Sequence, residues 1–276
     1  MNTGLGTPRR HPAGPADTGN ARKVRLAGKA AGPPFGDVLC AVEGGRGGAE
    51  AARQAAALSR RDALLRLAAV DGAESAAATR RRRNAIDRLL AESAGGDLLA
   101  IDCHGGSRPA GTMLDGTATQ VAHRATVPLL IARRSRDAEG DFPRAVLLAS
   151  DGSPGSWAAA RLAARIARAR GSSLQVVYVP DGHPERYREL FKQVSEIESL
   201  TGSMPAFLDA PGDPARRIAE TARAEGSSLV VIGRRGRDGP RSLGSVSERV
   251  AQRAPCSVLI VPAAEATGRR GDSQKP

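Results

Sequence analysis

The residues best suited to chemistry lie near the C-terminal end, between an apolar run and the start of a helix. The run Leu229 to Ile232 is followed by Gly233-Arg-Arg-Gly236, then by seven residues, and then by Gly244-Ser245. Glycines let a backbone approach a ligand closely, and the first N–H groups of a helix are unpaired, so this segment could hold a phosphate group. Four arginines are expected to add positive charge: Arg234, Arg235, Arg237 and Arg241. A strand-to-helix turn with solvated arginines is the alternative, and glycine spacing alone does not decide between the two.

Two strands and a helix must position this segment. The continuous apolar run before Gly233 predicts a strand buried on both faces of a parallel sheet. Ser245 and Glu248 have the spacing of a capping box, which predicts that the helix begins at Ser245. Pro255 should end that helix, and Ser257 to Val261 is predicted to form the last strand.

An internal repeat is visible in the middle of the chain. A predicted strand, Leu98 to Ile101, leads into Cys103-His-Gly-Gly106, nine further residues and Gly116-Thr117, and a strand is predicted from Pro128 to Ala132. The same order of strand, glycine loop, helix and strand recurs from Leu229 to Val261 and indicates two copies of one domain. We place the copies at residues 36–134 and 143–263, with a linker at 135–142 and disordered tails at 1–35 and 264–276.

The second copy is the fuller one and defines the fold class. Its first strand, Ala145 to Ala149, ends in Ser150-Asp151-Gly152-Ser153-Pro154, where Ser153 suits a helix N-cap and Pro154 the first helical position. Strands then alternate with helices, which predicts an α/β fold of two tandem, doubly wound parallel-sheet domains of Rossmann-like type. Ligands of such sheets bind at the carboxyl ends of the strands, and Asp151 and Gly233 should both lie there. The first copy passes from its second strand directly to its third helix, so it should lack one helix and one strand.

Composition limits the classes of function. The 276 residues are 41% hydrophobic, which supports packed cores, and residues 1–35 supply +5 of the net charge of +12. Aromatic residues make up only 3%, which argues against the stacking platforms of single-strand nucleic-acid binders. The widely spaced Cys40, Cys103 and Cys256 argue against a disulfide scaffold or a zinc module and favour a reducing cytoplasm. No apolar run reaches the roughly 18 residues of a membrane span.

Several segments in the same order resemble the universal stress protein family in its tandem form. They are Leu-Leu-Ala-Ser-Asp151-Gly-Ser-Pro-Gly-Ser156, then Gly212-Asp213-Pro214, then the glycine segment from Gly233 to Val250, and finally Ala-Pro-Cys256-Ser-Val-Leu-Ile-Val261. The resemblance covers about residues 36–262 and implies an adenine nucleotide alpha hydrolase-like fold.

The resemblance also implies a nucleotide site in the second copy. Asp151 would contact the nucleoside, Val179 and Ile232 would flank adenine, and phosphates would be held by glycine N–H groups and a hydroxyl. The full set that the resemblance assigns to ATP is Asp151, Gly152, Ser153, Val179, Ile232, Gly233, Arg235, Gly236, Gly244, Ser245, Val246 and Ser247. Mg²⁺ is expected only as the counter-ion of ATP. The departure from the family pattern is the loop, which has seven residues between Gly236 and Gly244 where ATP-binding members have nine.

The first copy departs further and is interpreted as degenerate. Cys103 stands where the family's first loop glycine should be, and Glu43-Gly-Gly replaces Asp-Gly-Ser. Cys103 and His104 together supply too few ligands for a metal ion. His123 and His183 are expected on a helix surface and in a loop, without partners.

Two functions from different classes remain open at this point. The first is a cytoplasmic stress-response sensor or regulator whose C-terminal domain binds ATP or a related adenine nucleotide. The second is a nucleotide-free dimerisation or protein-interaction scaffold, in which the last strands, 128–132 and 257–261, pair within one chain or between two chains. An enzyme is not expected, because the chain has no P-loop, nucleophile elbow or pair of carboxylates placed for acid–base work, and any ATP hydrolysis would be slow and incidental. Partners other than adenine nucleotide and a second copy, namely nucleic acid and membrane, are not expected.

Overall fold

The computed structural model describes residues 9–10, 32–43, 48–70, 76–102, 116–135, 137, 141–234 and 243–263. In these ranges the strands are β1 (Arg9–Arg10), β2 (Phe35–Glu43), β3 (Ser59–Val70), β4 (Leu98–Asp102), β5 (Leu129–Ala132), β6 (Ala145–Ala149), β7 (Ser173–Tyr178), β8 (Ala206–Asp209), β9 (Leu229–Gly233) and β10 (Ser257–Val261). The helices are α1 (Gly48–Leu58), α2 (Ala76–Ser93), α3 (Gly116–Arg124), α4 (Pro154–Arg170), α5 (Glu185–Thr201), α6 (Pro214–Ala224) and α7 (Ser245–Arg253).

All of these strands belong to one sheet, in the order β1-β8-β7-β6-β9-β10-β5-β4-β2-β3. Neighbouring strands run parallel except at two places, β1 with β8 and β5 with β10. We call β2 to β5 with their helices the N-terminal half, and β6 to β10 with their helices the C-terminal half. The predicted α/β class with mostly parallel strands is confirmed, and the tail residues of β1 add a short strand at the far edge.

The two halves are joined by their last strands within the one chain. Val258, Leu259 and Ile260 of β10 lie opposite Ile131, Leu130 and Leu129 of β5 in antiparallel register. One apolar cluster lies on each face of the sheet, and each contains residues of both halves. Phe142, which we expected in a linker, is fully buried in one of these clusters. The halves therefore share their cores, and the pairing of the last strands is intramolecular.

Local sequence signals account for the helix ends around the site. Ser153 and Pro154 begin α4 as predicted, although the Ser153 side chain makes no capping hydrogen bond. Asp213 caps α6, and its carboxylate accepts a hydrogen bond from the backbone N–H of Arg216. The capping box predicted for α7 is wrong, because the N-cap is Gly244 and no side chain caps the helix.

The N-terminal half lacks counterparts of α5 and β8 in its described residues, as the sequence predicted. In the C-terminal half β8 pairs with β7, and α5 packs over α4. In the N-terminal half the chain passes from β3 to α2, and β3 forms the end of the sheet. The two halves thus differ in how their outer strands are covered.

Candidate functional site

A cavity of about 550 Å³ opens at the carboxyl ends of β6, β7 and β9. Apolar side chains form its floor, and they come from the ends of the strands and from α6: Ala149, Val177, Val179, Pro214, Ile218 and Ile232. The rest of the lining consists of the polar or charged residues Ser150, Asp151, Ser156, Asp181, His183, Arg186, Ser245 and Ser247, together with Gly233, Gly244 and Val246. An apolar slot with polar groups around it suits a flat, partly apolar ligand with polar or charged substituents.

Asp151 lies at one side of the cavity, in the turn between β6 and α4. One of its carboxylate oxygens accepts a hydrogen bond from the Ser153 backbone N–H at 3.0 Å, which fixes the turn. Gly152 follows in the left-handed conformation with a φ of 72°. A carboxylate held in this way can accept hydrogen bonds from the hydroxyl or amino groups of a ligand.

A buried polar network supports this turn from below. The Ser150 hydroxyl donates to Oε1 of Gln193 at 2.6 Å, and Nε2 of Gln193 donates to the Ser156 hydroxyl at 2.8 Å. The Ser156 hydroxyl in turn donates to the Ser153 carbonyl at 2.7 Å. Because these groups are buried and paired, they fix β6, α4 and α5 relative to one another at the base of the cavity. Sequence reasoning missed this network, since Gln193 lies 37 residues from Ser156 and meets it only in the fold.

The N-terminus of α7 faces the cavity from the other side. Ser245, Val246 and Ser247 are its first residues, and their backbone N–H groups have no partner inside the helix. A helix N-terminus of this kind attracts anions. Ser245 is exposed, whereas the buried Ser247 hydroxyl donates to the Gly233 carbonyl at 2.7 Å and so ties α7 to the end of β9.

Two groups that the sequence analysis placed near the phosphates are engaged inside the protein. The Gly244 N–H donates to the Arg234 carbonyl at 2.9 Å, so this N–H is already used between the end of β9 and the start of α7. The Arg234 side chain is buried and its guanidinium donates to the His123 carbonyl in the N-terminal half. Its positive charge therefore points away from the place that the sequence assigned to it.

The segment between β7 and α5 forms a further wall that the sequence analysis did not assign. Asp181, His183 and Arg186 line it, and the Arg186 guanidinium forms an ion pair with the Asp181 carboxylate. His183 Nδ1 lies 2.9 Å from the Glu185 carboxylate, so the expectation that it has no partner is wrong. The sequence contains one signal for this wall, namely the charged stretch that follows β7.

The cavity brings together most of the predicted site residues. Eight of them line it: Asp151, Val179, Ile232, Gly233, Gly244, Ser245, Val246 and Ser247. Gly152 and Ser153 do not line it and are buried in the turn below Asp151. Arg235 and Gly236 fall outside the described residues, as do Cys103 and His104 of the first copy.

No group of three or more His, Cys, Asp or Glu side chains is placed to hold a metal ion in the ranges given above. None of the helices in the described ranges is both long and apolar enough to cross a membrane.

A doubly wound, mostly parallel sheet with a cavity at the carboxyl ends of its strands defines an α/β protein of Rossmann-like fold. The family model described as "Universal stress protein family" matches residues 143–262. A universal stress protein of Thermus aquaticus is 35% identical over 134 residues, which are 43% of this chain and 98% of the relative. Another, from Mycolicibacterium smegmatis, is 30% identical over 198 residues, which are 65% of this chain and 67% of the relative. The chain belongs to the universal stress protein family.

Solved structures share the fold across both halves. A universal stress protein from Archaeoglobus fulgidus superposes with a TM-score of 0.61 at 16% identity and covers 82% of this chain and 96% of its own. A putative universal stress protein from Pseudomonas aeruginosa gives a TM-score of 0.57 at 17% identity and covers 83% of this chain and 93% of its own. At these identities the likeness concerns the fold alone, which is the Rossmann-like, adenine nucleotide alpha hydrolase-like type.

Proposed function

We propose that the C-terminal half binds ATP or a related adenine nucleotide and that the protein acts as a cytoplasmic sensor or regulator in a stress response. The observation that carries the proposal is the placement of Asp151 and the α7 N-terminus around one apolar slot. A nucleotide needs an apolar surface for its base, an acceptor for its ribose or amino groups, and positive potential for its phosphates. The cavity supplies all three kinds of group.

The two ends of the cavity suggest an orientation for the nucleotide. Val179 and Ile232 would contact the two faces or edges of adenine, and Asp151 would accept hydrogen bonds from the nucleoside. Ser245 and the N–H groups of the first turn of α7 would face the phosphates, with Mg²⁺ as the counter-ion. We propose that this site binds the nucleotide without turning it over.

The proposal is tested by titrating the purified chain with ATP by calorimetry and by assaying the supernatant of the denatured protein for released nucleotide. Asp151→Ala should weaken binding by tenfold or more, because an acceptor of the nucleoside would be lost. Asp181→Ala is a matched control, since it removes a carboxylate from the wall of the same cavity that follows β7. Equal affinity of the wild type and Asp151→Ala would refute the proposal.

The nucleotide-free scaffold is a second candidate, supported by a separate observation. The Gly244 N–H, the Ser247 hydroxyl and the Arg234 guanidinium are all used inside the protein, which leaves fewer donors for phosphate among the described residues. This candidate predicts that the purified chain carries no nucleotide and releases no heat with ATP. It would direct attention to protein partners.

A further inference from the structure

The base of the glycine loop is closed by Arg234. Its backbone N–H donates to the Val261 carbonyl at 2.7 Å, and its carbonyl accepts from the Gly244 N–H at 2.9 Å. Arg234 therefore holds together the end of β9, the end of β10 and the residue that precedes α7. The position of this one residue fixes where the loop leaves the sheet and where it returns.

The side chain of the same residue is anchored in the N-terminal half. Arg234 is only 8% exposed, and its guanidinium donates to the His123 carbonyl near the end of α3. The ring of the same residue contacts α7, with His123 Nε2 3.4 Å from the carboxylate of Glu248 in the first turn of that helix. His123, at the end of α3, thus contacts Arg234 before the glycine loop and Glu248 after it. The expectation that His123 has no partner is wrong.

We infer that the degenerate N-terminal half positions the N-terminus of α7, to which the proposed function assigns the phosphates, with Arg234 as the positioning residue. The inference rests on the proposed nucleotide function and adds a role for the half that has lost its own glycine motif. A buried charged donor that loses its carbonyl partner costs more than an exposed one, so Arg234 has a strong preference for this arrangement. The N-terminal half would then set the affinity for the phosphates and leave the base slot unaffected.

A comparison of two ligands separates this role from a general effect on stability. Adenosine uses only the slot around Asp151, Val179 and Ile232, whereas ATP also uses the segment that Arg234 positions. We expect Arg234→Met to weaken ATP binding about tenfold and adenosine binding less than about threefold. Arg234→Lys keeps the charge and one donor, so its ratio of ATP to adenosine affinity should lie between those of Arg234→Met and the wild type.

Arg133 provides a matched control for buried charge and for contact between the halves. It is also 8% exposed, and its guanidinium donates to the Ala251 carbonyl at 2.6 Å across the same junction. Arg133→Met should lower Tm about as much as Arg234→Met and leave the ratio of the two affinities unchanged. Equal losses for ATP and adenosine in Arg234→Met, or the same change of ratio in Arg133→Met, would overturn the inference. Failure of the wild-type chain to bind either ligand would instead overturn the proposed function, and the inference with it.

A separate observation concerns the outer edge of the N-terminal half. Of the five large hydrophobic side chains that are exposed in the described residues, three lie on β3: Leu64, Leu65 and Leu67. Leu65 and Leu67 lie beside Val38 and Cys40 of β2, on the α1 side of the sheet. Their counterparts on β7 are Leu174 and Val176, which lie beside Val146 and Leu148 of β6.

The counterparts on β7 are more deeply buried than the leucines on β3. Val176 is 1% exposed and belongs to the same apolar cluster as Val194 and Ile197 of α5, whereas Leu67 is 65% exposed. The difference follows from the loss of one helix and one strand in the N-terminal half. As a result, β3 is an apolar edge strand whose outer backbone N–H and C=O groups have no neighbouring strand in the described part of the sheet. Such a strand pairs readily with another strand.

We further propose that this edge pairs with β3 of a second copy of the chain, in antiparallel orientation. The regular part of β3, residues 64–70, contains one charge, Arg66, and that charge is bound inward to Asp37 at 3.1 Å and to the Glu92 carbonyl at 3.2 Å. Two copies placed with Leu67 opposite Leu67 would pair all seven residues and oppose no like charges, since Arg66 would face Ala68. Because Arg66 is already paired with Asp37, residues 64–70 offer no charge that would attract an oppositely charged partner strand. A second copy of β3 is therefore the partner that suits this segment best.

The mass of the chain in solution tests this second proposal. Light scattering should give about twice the monomer mass of 28.6 kDa for the wild type and the monomer mass for Leu67→Asp. Phe191→Asp is the control, because Phe191 is 60% exposed on α5 and lies away from this edge, and it should remain dimeric. A monomeric wild type, a dimeric Leu67→Asp, or loss of the dimer in Phe191→Asp would each overturn the proposal.

Discussion

At the scale of single residues, Gly152 shapes the site without touching the cavity. Its φ of 72° is in the left-handed region, and a Cβ there would lie 3.1 Å from the Arg186 carbonyl oxygen. The residue is therefore glycine for two reasons, the backbone conformation and the close approach of α5. The resemblance assigned Gly152 to the ligand, whereas the structure uses it to bring α5 beneath Asp151.

We predict that Gly152→Ala destabilises the protein more than Gly171→Ala. Both glycines have a positive φ, but nothing lies within 4 Å of a Cβ at Gly171. Placing an alanine in the left-handed conformation costs about 1–2 kcal/mol at either position. The difference between the free energies of unfolding of the two variants therefore measures the contact of residue 152 with α5. Urea unfolding of the two variants should give a lower free energy of unfolding for Gly152→Ala, and equal values would contradict this explanation.

The buried thiols lead to a prediction about reactivity. Burial raises the pKa of Cys40 and of Cys256 to about 12, so almost no thiolate forms at pH 8. In a Cys103→Ser variant, a colorimetric thiol reagent should find no reactive cysteine in the native protein at pH 8 and two after denaturation. A fast reaction of the native variant would show that one of these two side chains is accessible.

The sequence revealed the site residues whose role follows from their immediate neighbours in the chain. Asp151 and the α7 N-terminus could be found, because a carboxylate after a strand and a glycine before a helix are local signals. The directions of Arg234 and Gln193 could not, because each is set by a partner distant in sequence, at His123 and Ser156. A buried arginine next to a glycine motif looks the same in the sequence as one that binds phosphate.

At the scale of elements, Asp213 links α6 to α7 beside the cavity. It caps α6, and its second carboxylate oxygen accepts from the Arg249 guanidinium of α7 at 2.7 Å. The Arg216 N–H, and after it Arg249, hold the pKa of Asp213 below its ordinary value of 3.8. The charged form is thus favoured in the folded state, and its contribution to stability is present above pH 3.8 and is lost as the pH falls through the lowered pKa.

We predict that Asp213→Asn lowers Tm at pH 7 and that the difference from the wild type disappears as the pH falls below 3.8. Asparagine keeps the oxygen that accepts from Arg216 and loses the charge that Arg249 faces. Asp213→Ala should lower Tm by about 2–4 °C more, because the cap is lost as well. Calorimetric scans between pH 7 and pH 3 measure both effects, and a difference that does not change with pH would contradict the assignment to charge.

Element bounds were predicted well where the apolar pattern is continuous. Strands β6 and β9 begin where they were predicted, because their runs of Val, Leu and Ile stand between polar turns. The start of α7 at Ser245 was also predicted correctly, although the N-cap is Gly244 and the predicted capping box is absent. The exposure of β3 could not be predicted from its own residues, because it results from elements that are missing elsewhere.

At the scale of the whole molecule, the two halves form one body through the β5–β10 pair. Leu130 of β5 is fully buried and lies in the same apolar cluster as Leu148, Val231 and Leu259 of the C-terminal half. Arg133 and Ser257 add buried hydrogen bonds across the junction, with the Arg133 N–H donating to the Ser257 hydroxyl at 2.9 Å. The sequence left open whether these strands pair within or between chains, because a strand does not specify which copy of its partner it meets.

We predict that Leu130→Ala lowers the unfolding midpoint of both halves together. Removing a buried leucine costs about 2–5 kcal/mol, and the shared core should transmit the loss to the C-terminal half. The single tryptophan of the chain, Trp157, lies on α4 and reports on that half alone. Its fluorescence and the far-UV circular dichroism should shift by the same amount in urea, whereas an unchanged fluorescence midpoint would show that the halves unfold independently.

The central claim, that the C-terminal cavity is a nucleotide site, is tested most directly by a crystal structure of the chain grown with a saturating concentration of ATP. We predict adenine in the slot between Val179 and Ile232, the nucleoside within hydrogen-bonding distance of Asp151, and phosphate density at the first turn of α7. An empty cavity at saturating ATP, or nucleotide bound elsewhere on the molecule, would contradict the claim.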